Sequence, residues 1–449
     1  LFVEKNQLNI NEHLQKQYNN HCSQYKTLGI DFCYFGKTHS LLHEKLVLFF
    51  YQKLLAKNLI FSKKTISWFD CHKNQFLPDR YVRGTCPHCG KENVYPHVCE
   101  YCNQYFDADK LLNPTSVLSN TSPILKETEH YFLNSSKFYE NLEHFCNELN
   151  IHQSVKKKIL DSSLKELNEI DITRDLPYFG INLPNKNLAF YVWFDAPLAY
   201  LSFILEHLSI KNSSLSFDDL INFLKDINLE HVIGKDITYF HTFFWLNLLK
   251  ILDLPLPKKL HVHGWIIQKN GEKYSKSNGD KLDLNIFSPL QIDAIRLYFC
   301  SIYDKSIQDN EFSLESAYEL YNQFIVGKFV NIYSRITKIL SKNNIASIHL
   351  SISQFDYESK IIDELNNFHL KNSLKILFNW IDDVNQYIQL EEPWKIDNQD
   401  LLINVCSKAL NEFKLISYYI GLICPHLKNV LETINYDDVQ HFHLTQKIT

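Results

Sequence analysis

Two Cys-x-x-Cys motifs constrain the fold of this chain more than any other feature of its sequence. The first contains Cys86 and Cys89, and the second contains Cys99 and Cys102. Each motif forms a tight turn that directs two thiolates toward one point, and two such turns complete a tetrahedral zinc shell. Because all four positions are filled by protein ligands, the predicted zinc site is structural and not catalytic. The alternative is two redox pairs or disulfides, which an intracellular chain disfavours.

Composition describes an ordinary folded protein. At 449 residues the chain is long enough for two to four domains. The 45% of hydrophobic and 22% of charged residues exclude a disordered or disulfide-dense chain. A net charge of −5 excludes a generally basic nucleic-acid coat but leaves room for a local basic groove. With neither a membrane span nor a signal peptide in the sequence, the expected compartment is the cytoplasm.

The order of patterns predicts a chain with both α/β and all-helical parts. Residues 40–60 have apolar residues at helical spacing, residues 61–125 are strand-like and turn-rich, and residues 135–170 are again helical. Three predicted strands follow, at 188–194, 231–234 and 260–267, with predicted helices at 196–207 and 236–252. Asp236 is a candidate N-cap of the second helix. Short links between alternating strands and helices predict parallel strands joined by crossovers.

From about residue 315 the pattern is helical throughout. An apolar stripe with steps of four and three residues predicts a bundle helix; it consists of Ile325, Phe329, Ile332, Ile336 and Ile339. Residues 358–390 and 400–433 repeat this pattern.

A loop with two lysines and two hydroxyls follows the third predicted strand, in the order Lys273-Tyr274-Ser275-Lys276-Ser277. These side chains suit transient binding of triphosphate charge. Taken alone, the run is equally typical of a solvated loop.

The loop resembles the Lys-Met-Ser-Lys-Ser signature of class I aminoacyl-tRNA synthetases, with Tyr274 where the signature has Met. Further segments resemble, in order, those of the methionyl-tRNA synthetase family. They are the four-Cys insert and residues 171–180 (DITRDLPYFG), 190–197 (FYVWFDAP), 234–241 (GKDITYFH), 330–335 (VNIYSR) and 392–394 (EPW). The resemblance extends over nearly the whole chain.

The resemblance implies a Rossmann-type class I catalytic domain, incomplete at its N-terminus, with a zinc-binding insert and a C-terminal α-helical anticodon-binding bundle. The implied domains are the remainder of the first catalytic half (1–58), the insert (59–187), the second catalytic half (188–266), a linker region with the lysine loop (267–327) and the anticodon-binding domain (328–449). The family's His-Ile-Gly-His signature is absent from the sequence. It is expected ahead of residue 1, so the chain is expected to be truncated at its N-terminus.

An aromatic pocket is the predicted methionine site. Its candidate residues are Trp193, Ala196, Pro197, Tyr200, Ile237, Phe240, His241 and Trp245. An aromatic cage suits a polarizable thioether, although the spacing alone favours a plain aromatic core beside the sheet. The resemblance implies that Trp193, Tyr200 and His241 contact the side chain, the last two near its sulfur.

For ATP, bound with Mg²⁺, the resemblance implies that Lys276 supports the pyrophosphate, while Lys273 and Ser277 order the loop. Gly234 and Asp236 are expected to face the adenosine, because ligands bind at the carboxyl ends of parallel strands. Arg174 is predicted either to act on the site, by orienting the phosphates or gating the insert, or to form an ion pair with Asp171 or Asp175.

The bundle is predicted to read a tRNA anticodon. Asn331 and Arg335 are four residues apart and so share a helix face, while Trp394 follows a proline at a helix start. Capping and packing explain these three residues equally well, but the resemblance implies that they read the CAU anticodon. The expected partners are tRNA(Met), ATP and L-methionine, and the expected state is a monomer.

Three alternatives to a methionine–tRNA ligase stay open. One is a catalytically inactive relative that binds tRNA or methionine, which the missing signature and Tyr274 favour. Another is a zinc-dependent nucleic-acid-binding module, against which the lysine loop argues. The last is a ligase for leucine or isoleucine, for which the insert is too short to hold an editing domain.

Overall fold

The structure of this chain is a computed structural model. The structure describes residues 6–99, 101–102, 104–134, 169–211, 215–238, 240–268, 284–303, 307–350, 355–436 and 447–448, with positions 3, 147, 153, 156, 157, 271 and 274. In this part of the chain, no helix is both long and apolar enough to cross a membrane. Most of the helix predicted at 135–170 lies outside the described residues.

Helices and short strands alternate in the first two thirds of the chain. The strands are β1 Ile60–Asp70, β2 Gln75–Phe76, β3 Val82–Thr85, β4 His97–Val98, β5 Tyr105–Phe106, β6 Leu112–Ser116, β7 Ile124–Asn134, β8 Glu169–Asp171, β9 Thr173–Asp175, β10 Leu188–Phe190, β11 Glu230–Gly234, β12 Lys259–His263, β13 Ile266–Ile267 and β14 Asn310–Glu311. The α-helices are α1 Ile10–Thr27, α2 Leu41–Ala56, α3 Val192–Asp195, α4 Ala199–Ser209, α5 Phe217–Lys225, α6 Leu246–Ile251, α7 Pro289–Ile302, α8 Leu314–Tyr321, α9 Val330–Lys342, α10 Glu358–Asn366, α11 Leu370–Glu391, α12 Gln399–Ile423 and α13 Pro425–Leu431.

The insert is built on a long antiparallel hairpin. β1 and β7 pair from Ile60↔Leu133 to Phe69↔Ile124, and β2 and β8 extend the sheet to the order β2-β1-β7-β8. The smaller pairs β3–β6 and β4–β5 complete it. The strand-like pattern at 61–125 is confirmed by these elements.

The predicted α/β segment is confirmed in part. β11 and β12 are parallel, with Gly234 beside His263, so their carboxyl ends meet at one edge. The link between them contains a π-helix, Phe240–Trp245, followed by α6. In contrast, β10 pairs antiparallel with β9, so the predicted parallel crossover from the first strand is wrong among the described strands.

Two predicted strands are shorter than expected. β10 ends at Phe190, and Trp193 lies on α3, because an apolar run satisfies a buried helix as well as a buried strand. The third strand divides into β12 and β13 at Gly264, whose backbone passes against residue 308. A Cβ added at Gly264 would lie 1.8 Å from the carbonyl oxygen of Gln308, so only glycine fits at this close approach. Asp236 is not the predicted N-cap, because Gly234 holds that position before the 3₁₀ turn Lys235–Ile237.

Two large cores hold the described parts together. One lies among α2, α4, β10 and α6, where Phe50, Phe190 and Leu248 are fully buried. The second fills the bundle of α8 to α13 and contains Trp380 and Phe413. The predicted apolar stripe is confirmed, since Ile325, Phe329, Ile332 and Ile336 are all 0% exposed; Ile339 packs against the same core.

Candidate functional site

The four cysteines of the insert form one cluster. Their Sγ atoms all lie within 4.8 Å of one another. Cys86 Sγ is 3.8 Å from Cys102 Sγ, and Cys89 Sγ is 3.7 Å from Cys99 Sγ. Four thiolates about 2.3 Å from a tetrahedral zinc ion are about 3.8 Å apart, so the cluster has the size that zinc requires. A disulfide needs about 2.05 Å, and all four cysteines are free.

Hydrogen bonds from backbone N–H groups change the pKa values of the cysteines in this cluster. Burial raises the pKa of the Cys86 thiol, but hydrogen bonds from the backbone N–H groups of Cys89 and His88 outweigh burial and lower the pKa to about 6. At Cys102 a backbone hydrogen bond from Gln104 lowers the pKa, but burial and the hydrogen bonds with the other three cysteines outweigh it and raise the pKa to about 12. Cys86 is therefore the first of these two thiols to ionise, and the thiolate is the form that binds metal.

A buried carboxylate, that of Asp70, joins two parts of the insert by hydrogen bonds. Asp70 accepts hydrogen bonds from the hydroxyls of Ser116 and Ser119, both at 2.6 Å, and from the backbone N–H groups of His72 and Lys73. Burial opposes its ionisation, but these four bonds lower the pKa of Asp70 to about 2. The end of β1 is thereby joined to the turn after β6.

Tyr200 and His241 meet in the predicted methionine pocket. Tyr200 Oη is 2.7 Å from His241 Nε2, and His241 Nδ1 is 3.0 Å from the carbonyl oxygen of Ile237. A carbonyl only accepts, so Nδ1 carries the ring hydrogen and Nε2 accepts the Tyr200 O–H. Burial lowers the pKa of His241 despite its bond to Ile237, so the ring is neutral at pH 7. The Tyr200 O–H and the His241 Nδ1–H both donate within the protein, so a ligand meets only the faces and edges of the two rings. Such a surface suits a polarizable thioether.

A second histidine, which the sequence analysis missed, lies beneath this pair. His231 of β11 is 4% exposed, and its Nε2 accepts the Trp245 indole N–H at 3.1 Å. Its ring centroid is 4.6 Å from that of Tyr200 and 5.7 Å from that of His241. Trp245 itself is 0% exposed and belongs to the core. Its contact with methionine stays a prediction.

Trp193 stacks on Phe240 beside the Tyr200–His241 pair. The two ring centroids are 3.6 Å apart and the planes differ by 5°. Phe240 and His241 are consecutive on the π-helix, so both aromatic clusters share one helical turn. Half-buried Ala196 begins the 3₁₀ turn Ala196–Leu198 between the helices that carry Trp193 and Tyr200.

The carboxyl ends of β11 and β12 form the predicted nucleotide edge. Exposed Asp236 folds back over Gly234, so that a Cβ added there would lie 2.6 Å from Asp236 Oδ1 and 3.9 Å from His263 Cε1. Lys235 Nζ forms an ion pair with Asp309 Oδ1 at 2.6 Å. Gly234 and Asp236 therefore lie together at the carboxyl ends of β11 and β12. Ligands of parallel sheets bind at this edge.

Of the two interpretations of Arg174, the structure shows the ion pair. Its guanidinium is 3.1 Å from Asp171 Oδ2 and stacks on the ring of Tyr191 at 3.7 Å. The same carboxylate accepts from buried His130, whose second ring nitrogen contacts Asp175 at 2.9 Å. A role for Arg174 in phosphate binding stays a prediction.

The lysine loop is described at one position. Lys273, Lys276 and Ser277 lie outside the described residues. The Tyr274 ring contacts the Phe312 ring edge-on, with centroids 6.3 Å apart.

The bundle brings two of its three candidates together. The Arg335 guanidinium lies 5.4 Å from the centre of the Trp394 ring, which is 44% exposed. Arg335 also donates to Gln389 Oε1 at 3.5 Å, a residue the sequence analysis missed because it lies on a different helix, α11. Asn331 is half-buried one turn before Arg335 on α9.

Comparison with known proteins agrees with this architecture. The family model described as tRNA synthetases class I (M) matches residues 2–337. The chain is 36% identical over 407 residues to the methionine–tRNA ligase of Buchnera aphidicola subsp. Acyrthosiphon pisum (strain Tuc7), covering 87% of this chain and 73% of that protein. It is 32% identical over 459 residues to the methionine–tRNA ligase of Francisella tularensis subsp. tularensis (strain WY96-3418), covering 97% of this chain and 68% of that protein.

Solved structures show the same fold. The structure of Mycobacterium tuberculosis methionyl-tRNA synthetase bound by methionyl-adenylate matches with a TM-score of 0.73 at 15% identity, over 96% of this chain and 82% of that chain. The apo form of that enzyme matches with a TM-score of 0.68 at 16% identity, over 93% of this chain and 80% of that chain. This chain belongs to the methionyl-tRNA synthetase family of class I tRNA synthetases.

Proposed function

We propose that this chain is a methionine–tRNA ligase, which activates methionine with ATP and transfers it to tRNA(Met). Family membership supports the proposal, and the neutral Tyr200–His241 pair beside the Trp193–Phe240 stack carries it. These rings offer an apolar, polarizable surface, which suits a flexible thioether.

The proposed reaction needs no acid–base residue. The methionine carboxylate attacks the α-phosphorus of ATP, and pyrophosphate leaves. A terminal ribose hydroxyl of tRNA then attacks the adenylate carbonyl and releases AMP. Catalysis rests on positioning and charge neutralisation, so Lys276, supported by Lys273 and Ser277, is proposed to bind the pyrophosphate. ATP enters with Mg²⁺, and Gly234 and Asp236 are proposed to face its adenosine.

Zinc is proposed as a structural ion held by Cys86, Cys89, Cys99 and Cys102. The size of the cluster supports this assignment. With four protein ligands no position is left for a substrate, so the ion would stabilise the insert and take no part in the reaction.

The test of activation is methionine-dependent ATP–pyrophosphate exchange. It is run on this polypeptide beside a version extended upstream in its reading frame. Exchange in either polypeptide supports the ligase. Silence in both, with tRNA binding retained, would refute it in favour of a tRNA-binding relative.

Anticodon reading by Asn331, Arg335 and Trp394 is proposed for the second step. Stacking of one base on an aromatic ring contributes about 1–3 kcal/mol. Trp394→Ala is therefore expected to lower methionylation of tRNA by about 5- to 150-fold while exchange is unchanged. Tyr418→Ala removes a 65% exposed ring of the same bundle and serves as the matched control. Equal losses in both variants would contradict the assignment.

The monomeric state and the cytoplasmic compartment stay predictions. Light scattering on the purified chain measures the former, and cell fractionation measures the latter.

A further inference from the structure

His231 is a buried polar side chain that packs against the pocket and that the proposed reaction does not use. It lies on β11, three residues before Gly234, with its ring packed against the Tyr200 ring at a centroid distance of 4.6 Å. Its Nε2 accepts the Trp245 indole N–H at 3.1 Å. One imidazole thus contacts both the tyrosine of the pocket and the tryptophan of the core.

The protonation state of His231 fits the role of an acceptor. Burial, together with the nearby His241, lowers the pKa of His231 to about 4. The ring is therefore neutral at pH 7, and Nε2 is free of hydrogen, as an indole donor requires. Without this acceptor the indole N–H of the fully buried Trp245 would lose its partner, at the cost of a buried unsatisfied donor.

The consequence for the pocket follows from the order of contacts. Trp245 is the last residue of the π-helix that carries His241. The centroid of the Trp245 ring is 6.0 Å from that of the Tyr200 ring. Trp245 is therefore connected to both members of the pair, to Tyr200 by ring packing and to His241 through the π-helix.

We propose that His231 is a positioning residue for the amino-acid site: through its hydrogen bond to Trp245 and its packing under Tyr200, it fixes the Tyr200–His241 pair against the methionine side chain. This inference rests on the proposed function. It assigns selectivity for the thioether partly to a residue that touches no substrate.

The experiment measures methionine and norleucine binding by calorimetry in whichever polypeptide, the present or the extended one, binds methionine. His231→Leu removes the acceptor and is expected to weaken methionine binding about tenfold, with a smaller change for norleucine, which lacks the sulfur. His231→Gln retains an acceptor and is expected to restore most of the affinity. Trp245→Phe removes the donor, and the double variant is expected to lose no more than either single one.

His261→Leu is the matched control. His261 is also 4% exposed and lies on the neighbouring strand, but it contacts Glu230 and Phe368. The His261→Leu substitution is expected to lower the stability of the protein and to leave its affinity for methionine unchanged. Unchanged affinity in His231→Leu, additive losses with Trp245→Phe or no rescue by His231→Gln would overturn the inference alone. Absence of methionine binding by both unsubstituted polypeptides would refute the proposed function, and the inference with it.

Discussion

His130 is predicted to be a buried imidazolium that stabilises the base of the insert, and replacing it tests this directly. The ring is 2% exposed, with Nδ1 2.7 Å from Asp171 and Nε2 2.9 Å from Asp175. Burial opposes the charge, but the hydrogen bonds to the two carboxylates outweigh it and raise the pKa of His130 to about 9. The pair of bonds joins β7 to β8 and β9.

The size of the effect follows from that pKa. A rise from 6.5 to about 9 corresponds to about 3 kcal/mol of stabilisation of the fully charged ring. Because the folded-state pKa is the higher one, this stabilisation is complete below about pH 6.5 and is lost as the pH rises through about 9. Between pH 7 and pH 9.5 about 2.5 kcal/mol is expected to disappear. Asp171 is 27% exposed, so solvent screening makes this an upper value.

The assay is urea unfolding of the wild type and His130→Gln at both pH values. Glutamine keeps one donor but carries no charge, so the variant is expected to be about 2 kcal/mol less stable at pH 7 and to approach the wild type at pH 9.5. His349→Gln changes an exposed histidine and controls for the other titrating groups. A stability difference between wild type and variant that is the same at both pH values would show that His130 is uncharged and refute the reasoning.

Three further predictions concern the insert and the nucleotide edge. Cys99→Ser is expected to lose bound zinc, measured by mass spectrometry of the metal, while Cys71→Ser, at an exposed cysteine, retains about one ion per chain. Gly264→Ala places a Cβ 1.8 Å from the Gln308 carbonyl oxygen and is expected to lower stability by about 3 kcal/mol in thermal unfolding; an unchanged melting temperature would contradict this close approach. Asp70→Asn is expected to cost the insert about 2 kcal/mol near pH 7, measured by hydrogen exchange of its amides. Since the lowered pKa of Asp70 is about 2, wild type and variant should converge as the pH falls from about 4 to 2, and a difference that persists would contradict the role of the charge.

Features that depend on local spacing were predictable from the sequence. Each Cys-x-x-Cys turn directs its own pair of thiolates toward one point, and the separations of 3.7–3.8 Å between cysteines of the two motifs confirm that the pairs converge. Helices α2 and α9 could also be predicted from the sequence, because apolar residues at helical spacing form one face that packs against a core.

The sequence-based predictions failed where the local pattern fits two kinds of secondary structure equally well. Residues 188–194 are an apolar run, which a buried strand and a buried helix both satisfy. The chain turns into α3 after Phe190, and this places Trp193 on a helix against Phe240.

The sequence by itself determined the four-cysteine cluster, the helical stripes and, through its motifs, the family to which the chain belongs. Only the tertiary structure decided which partners the polar side chains take. The sequence left the partner of Arg174 open between Asp171 and Asp175, and the structure pairs it with Asp171. His231 accepts from Trp245 across 14 residues of chain, a contact that the spacing does not indicate. Such contacts arise when separate elements pack together, because a buried donor or charge must find its partner among whatever groups the fold brings near.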